Sequence, residues 1–234
     1  MILTVHQPIF LPWPGFFRKA MQSDCMVLLD DVQFPRGRSW LARNRLKNEN
    51  GTLWLTVPVW KTGHGLQAIR EVRICYERPW REKHLRGMRQ NYPHAPYFDE
   101  CYGAVESIYG KKHALLTELN VELIKFLWSA LSVKSDLILQ SDLGIKNKGT
   151  DLLIELCGRL QADRLAIFPI AEKYIDTAAL IKNGIEVVHV NFHPPVYPQL
   201  WGEHIYNLST LDLLMNCGPK SGEIIVSAAG HTRA

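Results

Sequence analysis

Three prolines between Gln7 and Pro14 interrupt the chain directly after its first apolar run, and this interruption limits what the chain can fold into. Ile2 to His6 reads as a short buried strand. Gln7 to Pro14 can neither extend that strand nor begin a regular helix, because each proline lacks an N–H and fixes φ. Gly15 to Gln22 then reads as a helix, and Cys25 to Leu29 as a second strand ended by Asp30-Asp31. Strand, loop, helix and strand within about thirty residues is the size of one βαβ unit.

The alternation returns in the second half. Leu137-Ile138-Leu139, Leu165 to Phe168 and Glu186 to Val190 read as strands. Thr150 is predicted to N-cap a helix through Leu160, with Leu152, Leu153, Leu156 and Leu160 facing inward. Asp176 is predicted to cap a helix through Asn183, with Gly184 as its stop. Such alternation predicts an α/β fold, a mainly parallel sheet with helices on both faces. The closest fold type is a nucleotidyltransferase- or HUP-like Rossmannoid. The middle differs in character. Leu53 to Val59 and Ile69 to Tyr76 are predicted to pair as an inserted antiparallel hairpin, around a loop holding Gly63 and Gly65. Trp80 to Asn91 and Ala104 to Leu131 read as helical, the latter with Leu116, Leu119, Leu123, Leu127 and Leu131 on one buried face. The expected organisation is one α/β domain over 1–226, an insertion at about 50–135, and a disordered tail over 227–234.

Composition narrows the function classes. The net charge of +4 comes from 27 Lys+Arg against 23 Asp+Glu. That is far from the footprint of a nucleic-acid-binding domain. Basic residues still cluster locally, at Arg36, Arg38, Arg43, Arg45 and Lys47 and again from Arg70 to Arg89. Five cysteines, widely spaced and without a Cys-x-x-Cys, argue against a disulfide framework. No stretch is apolar enough to span a bilayer, and Met1-Ile2-Leu3-Thr4 does not read as a signal peptide. The expected location is therefore the cytoplasm, with a small-molecule substrate and no membrane insertion. Oligomeric state is not legible.

In open parallel sheets, ligands bind outside the carboxyl ends of the strands. His6 lies at such an end, and the following helix points its N-terminus, with its free N–H groups, toward the same place. His6 is thus a catalytic candidate, with Gln7 and Trp13 beside it. Asp31 ends the second strand and is the second catalytic candidate, as base or amine ligand. Neighbouring residues of an extended chain face opposite ways, so Asp30 and Asp31 cannot both face the site. Arg43, Asn44, Arg45 and Lys47 offer charge for carboxylate or phosphate. Lys148 and Thr150 suit an anion ahead of a helix, although no Walker A run is present. Tyr197 and Gln199 flank a proline and complete the binding candidates. Each has a structural alternative: a backbone bond for His6, a turn or cap for Asp31, a solvated edge for Arg43 to Lys47. Ser209 and Asp212 read first as the N-cap and first-turn acid of the last helix. His189, His193 and His204 lack zinc-ligand spacing with cysteines, so no metal site is read.

Four blocks resemble the WbqC-like family. They are Val5-His6-Gln7-Pro8 continuing through Leu11-Pro12-Trp13-Pro14-Gly15-Phe16-Phe17-Arg18-Lys19, Leu28 to Phe34, Arg43-Asn44-Arg45-Leu46-Lys47, and Val196 to Gly202 followed by Leu208 to Gly218. The resemblance spans nearly the whole chain. It implies a bacterial biosynthetic context, O-antigen or related, with modification of an amino sugar or small amino compound. One segment departs from the pattern. Ile167-Phe168-Pro169-Ile170-Ala171 stands where a Tyr-Leu-Ser-Gly-type segment is expected. The implied reading is a transferase or ligase using a nucleotide (ATP-like) or acyl-CoA donor. The alternative is a non-catalytic ligand-binding or scaffold protein.

Overall fold

The computed structural model describes residues 1–60 and 65–228. In chain order, β1 (Ile2–His6), α1 (Pro14–Met21) and β2 (Cys25–Leu28) form the opening unit. An antiparallel hairpin of β3 (Arg43–Asn48) and β4 (Gly51–Thr56) follows, then α2 (Trp80–Asn91), α3 (Phe98–Gly110) and α4 (Leu116–Ala130). The chain returns to the sheet through β5 (Asp136–Leu139), α5 (Gln140–Leu143), α6 (Gly149–Arg159), β6 (Arg164–Ile167), α7 (Thr177–Lys182) and β7 (Glu186–His189). It ends in α8 (Thr210–Cys217) and α9 (Ser221–Ser227).

The sheet runs in the order β5-β2-β1-β6-β7, with every neighbouring pair parallel. The expected α/β architecture is therefore present. From β1 the chain builds outward to β2 and β5, then crosses to the other side for β6 and β7. The crevice between the carboxyl ends of β1 and β6 is thus the topological switch point, where ligands of such sheets bind. The two sheet faces bury different helices. Met26 and Leu28 pack with Phe16 and Phe17 in the larger core. Cys25 and Val27 point the other way, against Leu152, Leu156 and Leu180. This alternation is the period-two geometry of a strand buried on both sides.

The proline-broken loop after β1 makes few bonds of its own, so other elements must satisfy its carbonyls. Asn120, fully buried on α4, donates through Nδ2 to Pro8 O (2.7 Å) and Leu41 O (2.8 Å). Asn44 Nδ2 on β3 donates to Phe10 O (3.1 Å) and Leu11 O (2.6 Å), while its Oδ1 accepts from Arg45 N (2.8 Å). Thr210 N at the start of α8 donates to Pro12 O at 2.8 Å. Leu11, held at φ 44, sits in the left-handed region that a side chain disfavours.

Several expected boundaries are corrected. The hairpin does not pair Leu53–Val59 with Ile69–Tyr76. It pairs Arg43–Asn48 with Gly51–Thr56. Glu49 and Asn50 make the two-residue turn, with Asn50 N bonded to Asn48 Oδ1 (3.1 Å), and Gly51 opens β4 at φ 112. Ile69–Glu71 is a short 3-10 turn, and a single bridge, Val59 with Ile74, is what remains of the expected pairing. Residues 61–64 of that expected loop, Gly63 included, lie outside the described residues. The helical stretch over Ala104–Leu131 is broken after Gly110, where Lys112 takes φ 53 and Glu118 Oε2 caps a new start at Leu115 N (3.0 Å). Thr150 does not cap α6. Lys148 occupies the N-cap position without a side-chain bond, and Thr150 Oγ1 accepts from Asp176 N (2.9 Å). Asp176 and Ser209 cap α7 and α8 as expected, accepting from Ala179 N and Leu211 N. Ser227, expected in the tail, closes α9, and residues 229–234 lie outside the described residues.

Asn44→Leu leaves two loop carbonyls and the Arg45 N–H without their bonds at a buried position. Each orphaned group costs about 1–3 kcal/mol. Urea unfolding is expected to show a loss of about 2–5 kcal/mol, with an unchanged m-value.

Candidate functional site

A cavity of about 550 Å³ opens at the carboxyl end of β1. His6, Gln7 and Trp13 form one wall, Asn44 and Arg45 a second, and Arg38, Trp40 and Asn207 a third. Comparable grooves lie along β4 and α2, lined by Trp54, Lys83 and Arg86. They share no lining residue with the β1 cavity and are built on the hairpin and α2, whereas the β1 cavity is lined by residues at a strand end of the parallel sheet.

His6 sets the chemistry. Its Nδ1 lies 2.8 Å from Gln7 O. A carbonyl only accepts, so Nδ1 carries the proton and Nε2 keeps its lone pair. Burial first, then the nearby Lys19 ammonium, pull the pKa down to about 3, against the opposing effect of the Gln7 bond. The ring also stands edge-on to Phe16, 4.9 Å between centroids.

Lys19 carried no expected role, yet it lies at the centre of this corner. It is 5% exposed although its helix is short and amphipathic. Nζ donates to Val5 O at 2.5 Å, at the carboxyl end of β1. It also stands 5.4 Å from the centroid of the Phe168 ring. No carboxylate among the described residues pairs with it. Burial lowers its pKa from 10.5 to about 7. Above it, Trp13 packs against Phe168 (5.6 Å) and Phe192 (5.3 Å). Gly15 permits this arrangement in a specific way. A Cβ there would fall 2.0 Å from the Trp13 ring, so the close approach is made by the indole two residues upstream. Phe168, in the segment that departs from the expected Ser-Gly-type pattern, is the ring that roofs Lys19.

The remaining candidates sit elsewhere or are occupied. Asp31 accepts from Arg70 Nε (2.6 Å) and Lys146 Nζ (2.7 Å), away from the cavity. Burial raises its pKa, but these two bonds outweigh it and hold the carboxyl below the usual range. Asp30 is buried and accepts from Ser141 N (2.9 Å) and Ser141 Oγ (2.7 Å) at the start of α5. Arg43 stacks its guanidinium on Trp54 at 3.6 Å. Arg45 Nη2 donates to Tyr206 O (3.1 Å), while its Nε is buried without a bond. Lys47 is 2% exposed and donates through Nζ to Glu203 O (2.6 Å), so it is no solvated edge. Tyr197 donates to Asp212 Oδ1 at 2.8 Å, and Tyr92 donates to the other carboxylate oxygen. Gln199 clamps its own loop through Ile205 O (2.9 Å) and Ile205 N (3.0 Å). Lys148 is exposed and Thr150 is bonded to Asp176 N. Thus His6, Gln7, Trp13, Asn44 and Arg45 come together. Asp31, Arg43, Lys47, Lys148, Thr150, Tyr197 and Gln199 do not line this cavity.

The profile of the WbqC-like protein family matches residues 7–224. The chain belongs to the WbqC-like family. It is also similar to a Mycobacterium tuberculosis protein described as "Uncharacterized protein Rv1507c". The two are 31% identical over 225 residues, covering 95% of this chain and 96% of the relative. No solved structure matches. Three of the family blocks quoted above meet in space: the loop after β1, strand β3, and α8 with the loop before it. The loop is bonded to β3 through Asn44 and to α8 through Thr210 N. Family membership supports a biosynthetic-pathway protein. No helix among the described residues is long and apolar enough to cross a membrane.

The buried lysine has a measurable cost. The unfolded chain binds the Lys19 proton below about pH 10.5, the folded chain only below about pH 7. Stability therefore falls as pH drops from 10.5 to 7 and is flat, for this group, below 7. The full penalty is on the order of 5 kcal/mol. Lys19→Met is expected to melt several degrees above the wild type near pH 6, with the gain shrinking toward pH 10.5, in thermal unfolding across that range.

Proposed function

We propose that this protein is a transferase or ligase of a bacterial biosynthetic pathway, surface-polysaccharide or related, acting on an amino sugar or small amino compound. The observation that carries the reading is a neutral His6, its Nε2 unprotonated and without a bond among the described residues, in the lining of a cavity that Arg38 and Arg45 also line. Arginines hold the phosphates of a nucleotide or acyl-CoA donor through forked, charge-assisted bonds. Trp13 and Trp40 offer flat apolar faces beside them. The acceptor amine attacks the carbonyl carbon of the donor's acyl group, held as a CoA thioester or an acyl-nucleotide anhydride, and the new C–N bond forms. The bond to the leaving group breaks, and that group departs with its electron pair. Nε2 of His6 takes the proton released from the amine nitrogen. The negative charge of the bound donor favours the imidazolium so formed.

An unprotonated Nε2 can take a proton but cannot donate one to an oxyanion, so His6 serves the acceptor amine as a base and the arginines hold the outer phosphates of the donor. Asp31, already held by two cations, is left with a positioning role between the turn carrying Arg70 and the segment carrying Lys146.

Thermal-shift screening against ATP, CTP, acyl-CoA and nucleotide sugars identifies the donor, since a ligand of the native state raises the melting temperature by mass action. With that donor, His6→Ala is expected to lower turnover about 10²–10⁴-fold while donor affinity stays within a few-fold. Arg45→Ala is expected to weaken donor binding about tenfold or more. Full turnover by His6→Ala sinks the assignment. Binding without consumption favours the scaffold reading instead.

A further inference from the structure

The corner where β1 and β6 end contains more than the cavity wall. Lys19 is nineteen-twentieths buried, yet among the described residues its Nζ has one hydrogen bond, to Val5 O, and no carboxylate pairs with it. An ammonium has three N–H donors. A carbonyl and an aromatic face leave that charge under-compensated, and a buried cation without a counter-ion is costly. His6 is the titratable group that faces it, and His6 adds no negative charge. Such a cation stands at the carboxyl end of β1, beside the switch point of the parallel sheet.

The cover over Lys19 is weakly anchored. Phe168 leads into a 3-10 turn, Pro169–Tyr174, in which no residue is buried. Ile170 and Tyr174 of that turn are 71% and 75% exposed. Phe192, the other ring against Trp13, belongs to the irregular segment after β7 and is only partly buried. Segments with few buried contacts are the ones that move at low cost.

We propose that Lys19 is the oxyanion-binding residue of this site, taking the phosphate or carboxylate of a ligand that enters beneath Phe168 and Trp13. The proposal deepens the transferase reading by giving the donor's charged group a buried partner, while the arginines hold the outer part. A charge-assisted bond in a dry corner is stronger than one at the surface.

Calorimetric titration of the full chain tests it with two probes, inorganic pyrophosphate and malonate, which separate phosphate from carboxylate chemistry. The wild type is expected to bind at least one. Lys19→Met is expected to lose tenfold or more in affinity for that probe while melting at or above the wild-type temperature. Lys19→Gln keeps a donor for Val5 O, loses the charge, and is expected to show the same loss. Affinity within twofold of wild type in either variant overturns the proposal, as does a wild type that binds neither probe. The transferase reading fails separately. If the binding is Lys19-dependent but no donor is consumed, Lys19 stands and the chemistry falls. If His6→Ala abolishes turnover while Lys19→Met binds pyrophosphate normally, the reverse holds.

Discussion

Two buried asparagine amides hold the loop after β1, and the rest of the site depends on them. A segment broken by three prolines has carbonyls that no regular element can satisfy. Asn120 and Asn44 reach it from two different helical and hairpin elements and take the carbonyls of Pro8, Phe10 and Leu11. That fixes where β1 stops, where α1 begins and how Trp13 folds over Gly15. The middle of the chain, which interrupts the sheet between β2 and β5, thus supplies the bonds that shape the loop. The candidate site is built by insertion and sheet together.

A second buried assembly ties the C-terminal block to the same place. Asp212, fully buried on α8, accepts from Tyr92 and Tyr197, while Lys47 N donates to Tyr92 Oη at 2.6 Å. Burial raises the Asp212 pKa, opposed by the two phenol bonds and by Lys47. The side chains that look most chemical in these family blocks are therefore largely structural. Asp212, Tyr197, Lys47 and Asn44 spend their polar atoms on one another and on the backbone.

The N-terminal βαβ unit was legible because apolar runs and prolines are local signals. The site was half legible. His6, Gln7 and Trp13 follow from the rule that ligands bind at strand ends, and Arg45 from the basic cluster on Arg43 to Lys47. Lys19 is not legible because a lysine on a short helix reads as solvent-facing, while its contacts, Val5 O on β1 and the Phe168 ring just after β6, come from distant parts of the chain. The hairpin differs from the expected one because Leu53 to Val59 has strand composition throughout, whereas the pairing is set by the two-residue Glu49-Asn50 turn ahead of Gly51. Asp31 fell to long-range pairing: nothing local announces that Arg70 and Lys146 converge on it.

A buried lysine and a partly buried histidine at one strand end both work against stability below neutral pH. Groups perturbed in this way cluster at functional sites. The most direct test is a crystal structure of the full chain grown with pyrophosphate. The Lys19 assignment requires the anion at the carboxyl ends of β1 and β6, within hydrogen-bond distance of Lys19 Nζ and with Phe168 displaced from its present contact. Pyrophosphate bound instead along the Lys83–Arg86 groove or beside Lys146 and Lys148, with the Phe168 roof still closed over Lys19, would contradict it.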